Sequence, residues 1–284
     1  MRKLISLEEA VEAVLERVQI VGKQKVSLAS ALRRVVAEDI YAPINLPPFN
    51  RSPLDGYAVK AEDIAKATPN IPVELEVCLE IPAGTYSDLK LTRGQAVKIL
   101  TGTPIPSGAD VVIRFEDVEE LGKKIKVFNP LPVYANYCFA GEDVKKNELV
   151  ITAGKVIKPA EVGLLAGIGL KDIPVYDIPR VGLISTGDEL TRVGEQLTTG
   201  KIYNSSLYTL AAEISEAGAE LSYKNIVKDD LRLIADEIIT ALNHSDMVIT
   251  TGGVSVGDYD LVKDALDSIG AKIVFHRVNI RPGT

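Results

Sequence analysis

The sequence predicts a multi-domain chain, α/β plus β-rich, with a parallel-sheet α/β domain at its C-terminal end. Three observations lead there. Beyond Pro179, short apolar runs alternate with amphipathic helical runs, the pattern of strand–helix–strand units. From about 45 to 139, apolar residues follow short β-type runs cut by Pro and Gly turns. The length, 284 residues of which 46% are apolar and 25% charged, suits roughly two domains of ordinary size.

The elements follow in order. Ser6 and Glu9 have capping-box spacing, and Val11, Val14, Leu15 and Val18 then make one helical stripe. An Ala/Leu-rich segment, 27–32, leads into an extended run, 35–41. Pro43, Pro47, Pro48 and Pro53 exclude a helix and suggest a domain crossing. Val73–Val77 alternates with period two, and 96–100 and 111–113 are short apolar strands. Pro159 opens a helix carrying Val162, Leu164 and Leu165. In the last region, strands are expected at 181–184, 221–227, 247–250 and 272–280. Helices are expected around Leu207–Ile214, Leu231–Leu242 and Leu261–Ile269. Gly218 reads as a helix C′ residue, and Asp229 or Asp230 as an N-cap. The regions are therefore 1–44 with 140–178 (helical and linking), 45–139 (β-rich) and 179–284 (α/β).

Unusual residues gather after each expected strand: Ser185-Thr186-Gly187-Asp188-Glu189, Lys228-Asp229-Asp230, TTGGVSVGDYD at 250–260, and Arg281-Pro282-Gly283. All four clusters then lie at the carboxyl edge of one parallel sheet, where open α/β folds bind ligands. Gly252, Gly253 and Gly257 let backbone N–H groups approach an anion, and Thr250, Thr251 and Ser255 add hydroxyls. Asp188, Glu189, Asp229, Asp258 and Asp260 offer hard oxygens to a divalent cation, although any single Asp also serves as a helix cap. Arg277 and Arg281 suit phosphate or an oxyanion.

Composition excludes several classes. With 32 Lys and Arg against 39 Asp and Glu, the net charge of −7 argues against a general nucleic-acid binder. Two Cys and two His rule out a disulfide framework and a Cys- or His-rich metal centre. No apolar run is long enough to span a bilayer, and Glu8 and Glu9 interrupt any signal region, so a cytoplasmic protein is expected. The nucleotide P-loop is missing. Gly253-Val254-Ser255-Val256-Gly257 matches the nucleophile-elbow pattern, but neither His276 nor His244 falls on a loop after the serine, as a hydrolase triad would require.

STGDEL at 185–190, TTGGVSVGDYD at 250–260 and SPLDGYAV at 52–59 resemble the molybdopterin molybdenumtransferases, whose animal relatives include the gephyrin E domain. LTGTPIP at 100–106, VVIRFED at 111–117 and AGEDV at 140–144 extend the resemblance over essentially the whole chain. It implies an elongated homodimer with a molybdopterin-binding α/β domain. Such an enzyme takes adenylylated molybdopterin and molybdate, cleaves the phosphoanhydride with Mg²⁺ and yields molybdenum cofactor plus AMP. Asp55, Thr101, Glu189, Asp229 and Asp260 are then the catalytic residues, with Glu189, Asp229 and Asp260 holding the metal. Ser185, Thr186, Gly187, Gly252, Gly253, Ser255, Gly257, Arg277 and Arg281 are the expected ligand-binding set. The upstream adenylyltransferase is the implied partner, with no nucleic acid and no membrane.

Two departures qualify the resemblance. Family members usually continue through a glycine-proline loop and a C-terminal β domain, whereas this sequence ends at Thr284, so the α/β domain is expected to be incomplete. The usual Lys-Pro-Gly-Lys stretch is Arg281-Pro282-Gly283-Thr284 here, with one positive charge fewer, which bears on oxyanion affinity and on molybdate against tungstate. The alternatives are molybdopterin adenylylation and a non-catalytic molybdopterin-binding scaffold.

Overall fold

A computed structural model describes residues 4–252 and 261–280. By contact the chain divides into two compact units: Ser27–Leu32 with Glu38–Ile173, and Met1–Val26 with Arg33–Ala37 and Pro174–Thr284. The three regions expected from the sequence are a different division. Here the N-terminal helix groups with the α/β part, and 140–173 groups with the β-rich part.

Helix α1, Leu7–Leu15, starts at the capping box: Glu9 N–H donates to Ser6 Oγ at 3.1 Å, and Ser6 N–H donates to Glu9 Oε2 at 2.9 Å. It ends before Val18, and Val11, Val14 and Leu15 are exposed, so the stripe is shorter than its pattern and only Ala10 is buried.

The β-rich unit is built on one six-stranded sheet. Its strands are β1 (Gly56–Val59), β2 (Val73–Ile81), β3 (Gln95–Ile99), β4 (Val111–Arg114), β5 (Val118–Leu121) and β6 (Lys124–Val127). The order is β4-β1-β3-β2-β6-β5, antiparallel except for β2 with β3. Both faces are covered. Tyr57, Val59, Val111 and Ile113 enter one apolar cluster, while Ala58, Val97 and Val112 enter the other. That burial explains why β1 has no alternating signature: all four of its residues are buried. Gly56 is required by a close approach, since a Cβ there would lie 2.1 Å from the Ile113 carbonyl oxygen. Helix α2, Pro159–Gly167, has Pro at its first turn as expected.

The α/β part contains three parallel strands, β7 (Arg180–Thr186), β8 (Glu220–Val227) and β9 (Met247–Thr251), in the order β8-β7-β9. Helix α3 (Ser205–Glu216) covers one face through Leu207 and Ile214. Helices α4 (Leu231–His244) and α5 (Leu261–Ser268) cover the other through Ile234, Ile238, Ala241, Val262 and Ala265. Helices on both faces of a parallel sheet make this a doubly wound arrangement. Two short strands that the sequence pattern did not predict, Leu190–Thr191 and Ile202–Tyr203, pair in the connection from β7 to α3.

The fourth strand expected at 272–280 does not form. None of residues 271–280 is buried, and a parallel strand needs cover on both faces. The segment instead makes a single bridge, Val278 with Ile5. There Ile5 N–H donates to the Arg277 carbonyl at 3.1 Å, and Asn279 N–H donates to that of Ile5 at 2.8 Å.

Of the two candidate caps before α4, Asp230 holds the position: its Oδ1 accepts from Arg232 N at 2.9 Å and Leu233 N at 3.0 Å. Asp230→Ala is expected to lower stability by about 0.5–2 kcal/mol and Asp230→Asn to recover most of it, because both amide and carboxylate oxygens cap well. Urea melts of the three proteins check this; an equal loss in Asp230→Asn would assign the effect to charge.

Candidate functional site

Parallel pairing of β7 with β8 and β9 brings two of the expected clusters, and the first residues (250–252) of a third, to one edge. Ser185 and Thr251 join across neighbouring strands through their hydroxyls, Oγ to Oγ1, at 2.9 Å. Thr186 is fully buried and its Oγ1 has no hydrogen-bond partner among the described residues. Directly over it runs the backbone of Gly252, at φ +87°. A Cβ there would lie 2.1 Å from the Thr186 carbonyl oxygen and 3.0 Å from its Oγ1. Only glycine fits that cradle, because it combines a left-handed conformation with a missing side chain.

The loop after β7 is tied to the end of β8. Gly187 N–H donates to the Val227 carbonyl at 3.2 Å, and Asp188 N–H donates to Asp229 Oδ2 at 3.3 Å. Lys201 Nζ donates to the Asp188 carbonyl. The Glu189 carboxylate folds back over Gly187, where a Cβ would stand 2.8 Å from Oε2. Asp188, Glu189 and Asp229 are all exposed, and Asp229 keeps a second oxygen outside this bond. Asp229 is thus freed from helix capping, which Asp230 performs, and latches the loop that carries Glu189.

The expected set is only partly assembled. Ser185, Thr186, Gly187, Glu189, Asp229 and Gly252 meet at the strand ends. Arg277 is exposed on the segment that forms no strand, with its carbonyl bonded to Ile5, so the expected fourth cluster at the sheet edge has no strand to deliver it. Gly253, Ser255, Gly257, Asp258, Asp260 and Arg281 lie outside the described residues. Among the described residues, no group of three His, Cys, Asp or Glu side chains converges as a metal cage. Two carboxylates remain compatible with Mg²⁺, which binds through one or two of them and takes its other oxygens from phosphate and water.

Asp55 and Thr101 belong to the β-rich unit, where they meet at its loop ends. Thr101 donates to Asp55 Oδ1 twice, from its backbone N at 2.7 Å and from Oγ1 at 2.8 Å. The first bond, helped by the second, holds the Asp55 carboxyl below its ordinary range. Asp55 does not form a turn with Gly56, which is already in strand β1. Loop 50–55 is also bound at its other residues, Ser52 N–H to the Thr103 carbonyl at 3.0 Å and Arg51 N–H to that of Cys138 at 2.9 Å.

Asn204 was not expected from the sequence to contribute. Only 2% exposed, it caps α3 by accepting from Leu207 N at 3.0 Å, while its Nδ2 is buried without a partner among the described residues. In the sequence it reads only as a glycosylation-type triplet. The available signal was an Asn three residues before the first buried Leu of a helix.

Two families match the chain: "MoeA N-terminal region (domain I and II)" over residues 5–169, and "Probable molybdopterin binding domain" over residues 182–284. A molybdopterin molybdenumtransferase of Bacillus subtilis is 38% identical over all of this chain and 67% of its own length. One from Staphylococcus aureus strain Mu50 is 35% identical, with 68% of its length covered. A crystal structure of a molybdopterin biosynthesis MoeA protein from Pyrococcus horikoshii aligns with 99% of this chain and 70% of that one, at a TM-score of 0.86 and 34% identity.

The Asp55–Thr101 pair makes a pH prediction. Because the carboxyl's folded-state pKa is depressed, the stability it contributes is present above the ordinary carboxylate value and is lost as pH falls through the depressed one. An NMR titration is expected to place the Asp55 midpoint below the ordinary 3.8. In Thr101→Val the midpoint should rise yet stay below that value, since the backbone donor remains; an unmoved midpoint would remove the hydroxyl from the account.

Proposed function

Because this chain belongs to the molybdopterin molybdenumtransferase family, a family of transferases in molybdenum cofactor biosynthesis, we propose that it inserts molybdenum into adenylylated molybdopterin. In this reading, molybdate is the metal donor and AMP is released in an Mg²⁺-dependent step. The observation that carries the reading is the cradle at the carboxyl ends of β7 and β9. There a glycine backbone, a buried unpartnered threonine hydroxyl and a serine–threonine hydroxyl pair stand beside the Glu189 loop. That set offers N–H and O–H groups to an anionic pterin ligand and carboxylate oxygens to a cation.

Glu189 and Asp229 would hold Mg²⁺, with Asp260 the third ligand expected from the sequence. When bound, the ion supplies charge neutralisation on the phosphoanhydride oxygens. The protein's own groups do the positioning. Gly252 lets the ends of β7 and β9 close over Thr186, and in this reading the buried Thr186 hydroxyl, without a partner among the described residues, donates to the ligand. Asp55, held ionised by Thr101, retains Oδ2 as an acceptor for a ligand proton. Arg277 and Arg281 remain the proposed source of positive charge for the oxyanion. The working unit in this reading is a cytoplasmic homodimer supplied by the upstream adenylyltransferase. Among the described residues, no helix is long and apolar enough to cross a membrane.

Incubation with adenylylated molybdopterin, molybdate and Mg²⁺ tests the reaction. AMP release is expected, falling about a hundredfold in Glu189→Gln and Asp229→Asn while the fold is kept. Adenylylation of the pterin from ATP would replace the reading with the upstream step, and binding without turnover would replace it with a scaffold. Sedimentation at micromolar concentration is expected to give a dimer, and a monomer would remove the homodimer from the proposal.

A further inference from the structure

The connection from β7 to α3 carries Asp188 and Glu189 and is bound at three places to β8 and the residues just after it. Two are the bonds to Val227 and Asp229 described above. The third comes from Arg192, whose Nη2 donates to Asn225 Oδ1 at 3.0 Å. The three anchor residues, Asn225, Val227 and Asp229, step two at a time along the end of β8, so the loop lies along that strand rather than free of it.

The third tether has its own support. Asn225 Nδ2 donates to Glu237 Oε1 at 2.5 Å, and Tyr223 Oη donates to the same oxygen at 2.5 Å. An ionised carboxylate only accepts hydrogen bonds, so Glu237 dictates which way the Asn225 amide points: NH₂ toward α4, oxygen toward Arg192. With the amide reversed, Arg192 would face an NH₂ group and have nothing to bond. The hydrogen bond to Glu237 also pushes the Tyr223 hydroxyl above its ordinary pKa, so it remains a donor. His244 stacks against the Tyr223 ring, with centroids 6.0 Å apart and planes 2° from parallel. The network thus runs from α4, across the face of β8, to the loop that bears Glu189.

We infer that Asn225 and Glu237 are positioning residues that act through Arg192 to hold the Glu189 loop in register with the end of β8. The inference rests on the reading of Glu189 as a metal and catalytic residue. Arg192 touches no reacting atom; it fixes the loop three residues on from Glu189. A carboxylate that must meet both a cation and a phosphoanhydride loses much of its effect when its loop shifts by an ångström.

The test compares Arg192→Ala, Asn225→Ala and the double variant in the complete protein. All three are expected to melt with the parent, because the residues lie at or near the surface. The turnover number for AMP release should fall about tenfold in each single variant, with the KM for adenylylated molybdopterin nearly unchanged. The double variant should fall no further than either single one, since both remove the same tether. Amide hydrogen exchange over 187–192 should quicken by a similar amount in all three. Glu237→Gln should reproduce part of both effects by releasing the amide's orientation. Multiplying losses in the double variant, or unchanged exchange over 187–192, would overturn the inference. Should the parent release no AMP, the functional reading falls by itself and exchange alone decides: quickening shared by the singles and the double supports the tether, and its absence refutes it.

Discussion

The backbone of Gly252 passes so near the carbonyl of Thr186 that no side chain of any size can stand between them. This contact joins the chain leaving β7 to the chain leaving β9, and the candidate site depends on it. It places a buried hydroxyl beneath a bare peptide, and it holds the ends of two parallel strands close enough for Ser185 and Thr251 to share a hydrogen bond. Larger residues at 252 would separate those ends, and the Glu189 loop would lose one wall. Glycine at 252 is therefore a packing requirement of the two strand ends.

Much of this was legible in the sequence where a local signal and a burial pattern agreed. The capping box at Ser6, the C′ glycine at 218 and the strand–helix alternation after Pro179 each have a local physical cause, and each is present. The resemblance to molybdopterin molybdenumtransferases rested on ordered motifs across the chain, and the family matches cover both parts. Failures came where tertiary context decides. The Gly56–Val59 strand is buried on both faces and so shows no alternation, and the hairpin of β5 and β6 is masked by its charged outward residues. At 272–280 the composition suits a strand, but among the described residues its one bridge is from Val278 to Ile5. In α4 the inward stripe runs through Ile234, Ile238 and Ala241, while the larger Leu242 beside it is half exposed. Size is a poor guide to facing when the 3.6-residue period selects the smaller neighbour.

The site was legible as chemistry and less so as geometry. Ser185, Thr186, Glu189, Asp229 and Gly252 do stand together at the strand ends, as a parallel sheet that delivers its carboxyl ends to one edge requires. What the sequence left open was the division of labour between adjacent acids. Asp229 and Asp230 are equivalent on paper, and only the backbone direction at the start of α4 makes one a cap and the other a loop latch. Asp55 shows the same limit. The bonds from Thr101, 46 residues away in sequence, are what hold its carboxylate, and no local pattern announces them.

The pairing that closes the site also sets when the site can exist. Ser185 and Thr251 are separated by 66 residues, and three strands and two helices lie on the chain segment that runs between β7 and β9. Closing so large a loop is entropically slow and contributes nothing until both strands are in place. During synthesis, β7 emerges from the ribosome well before β9, so its buried hydroxyls wait for a partner that is not yet made. Assembly of the cradle is consequently a late event in folding, complete only when the α/β sheet has gained its third strand in chain order.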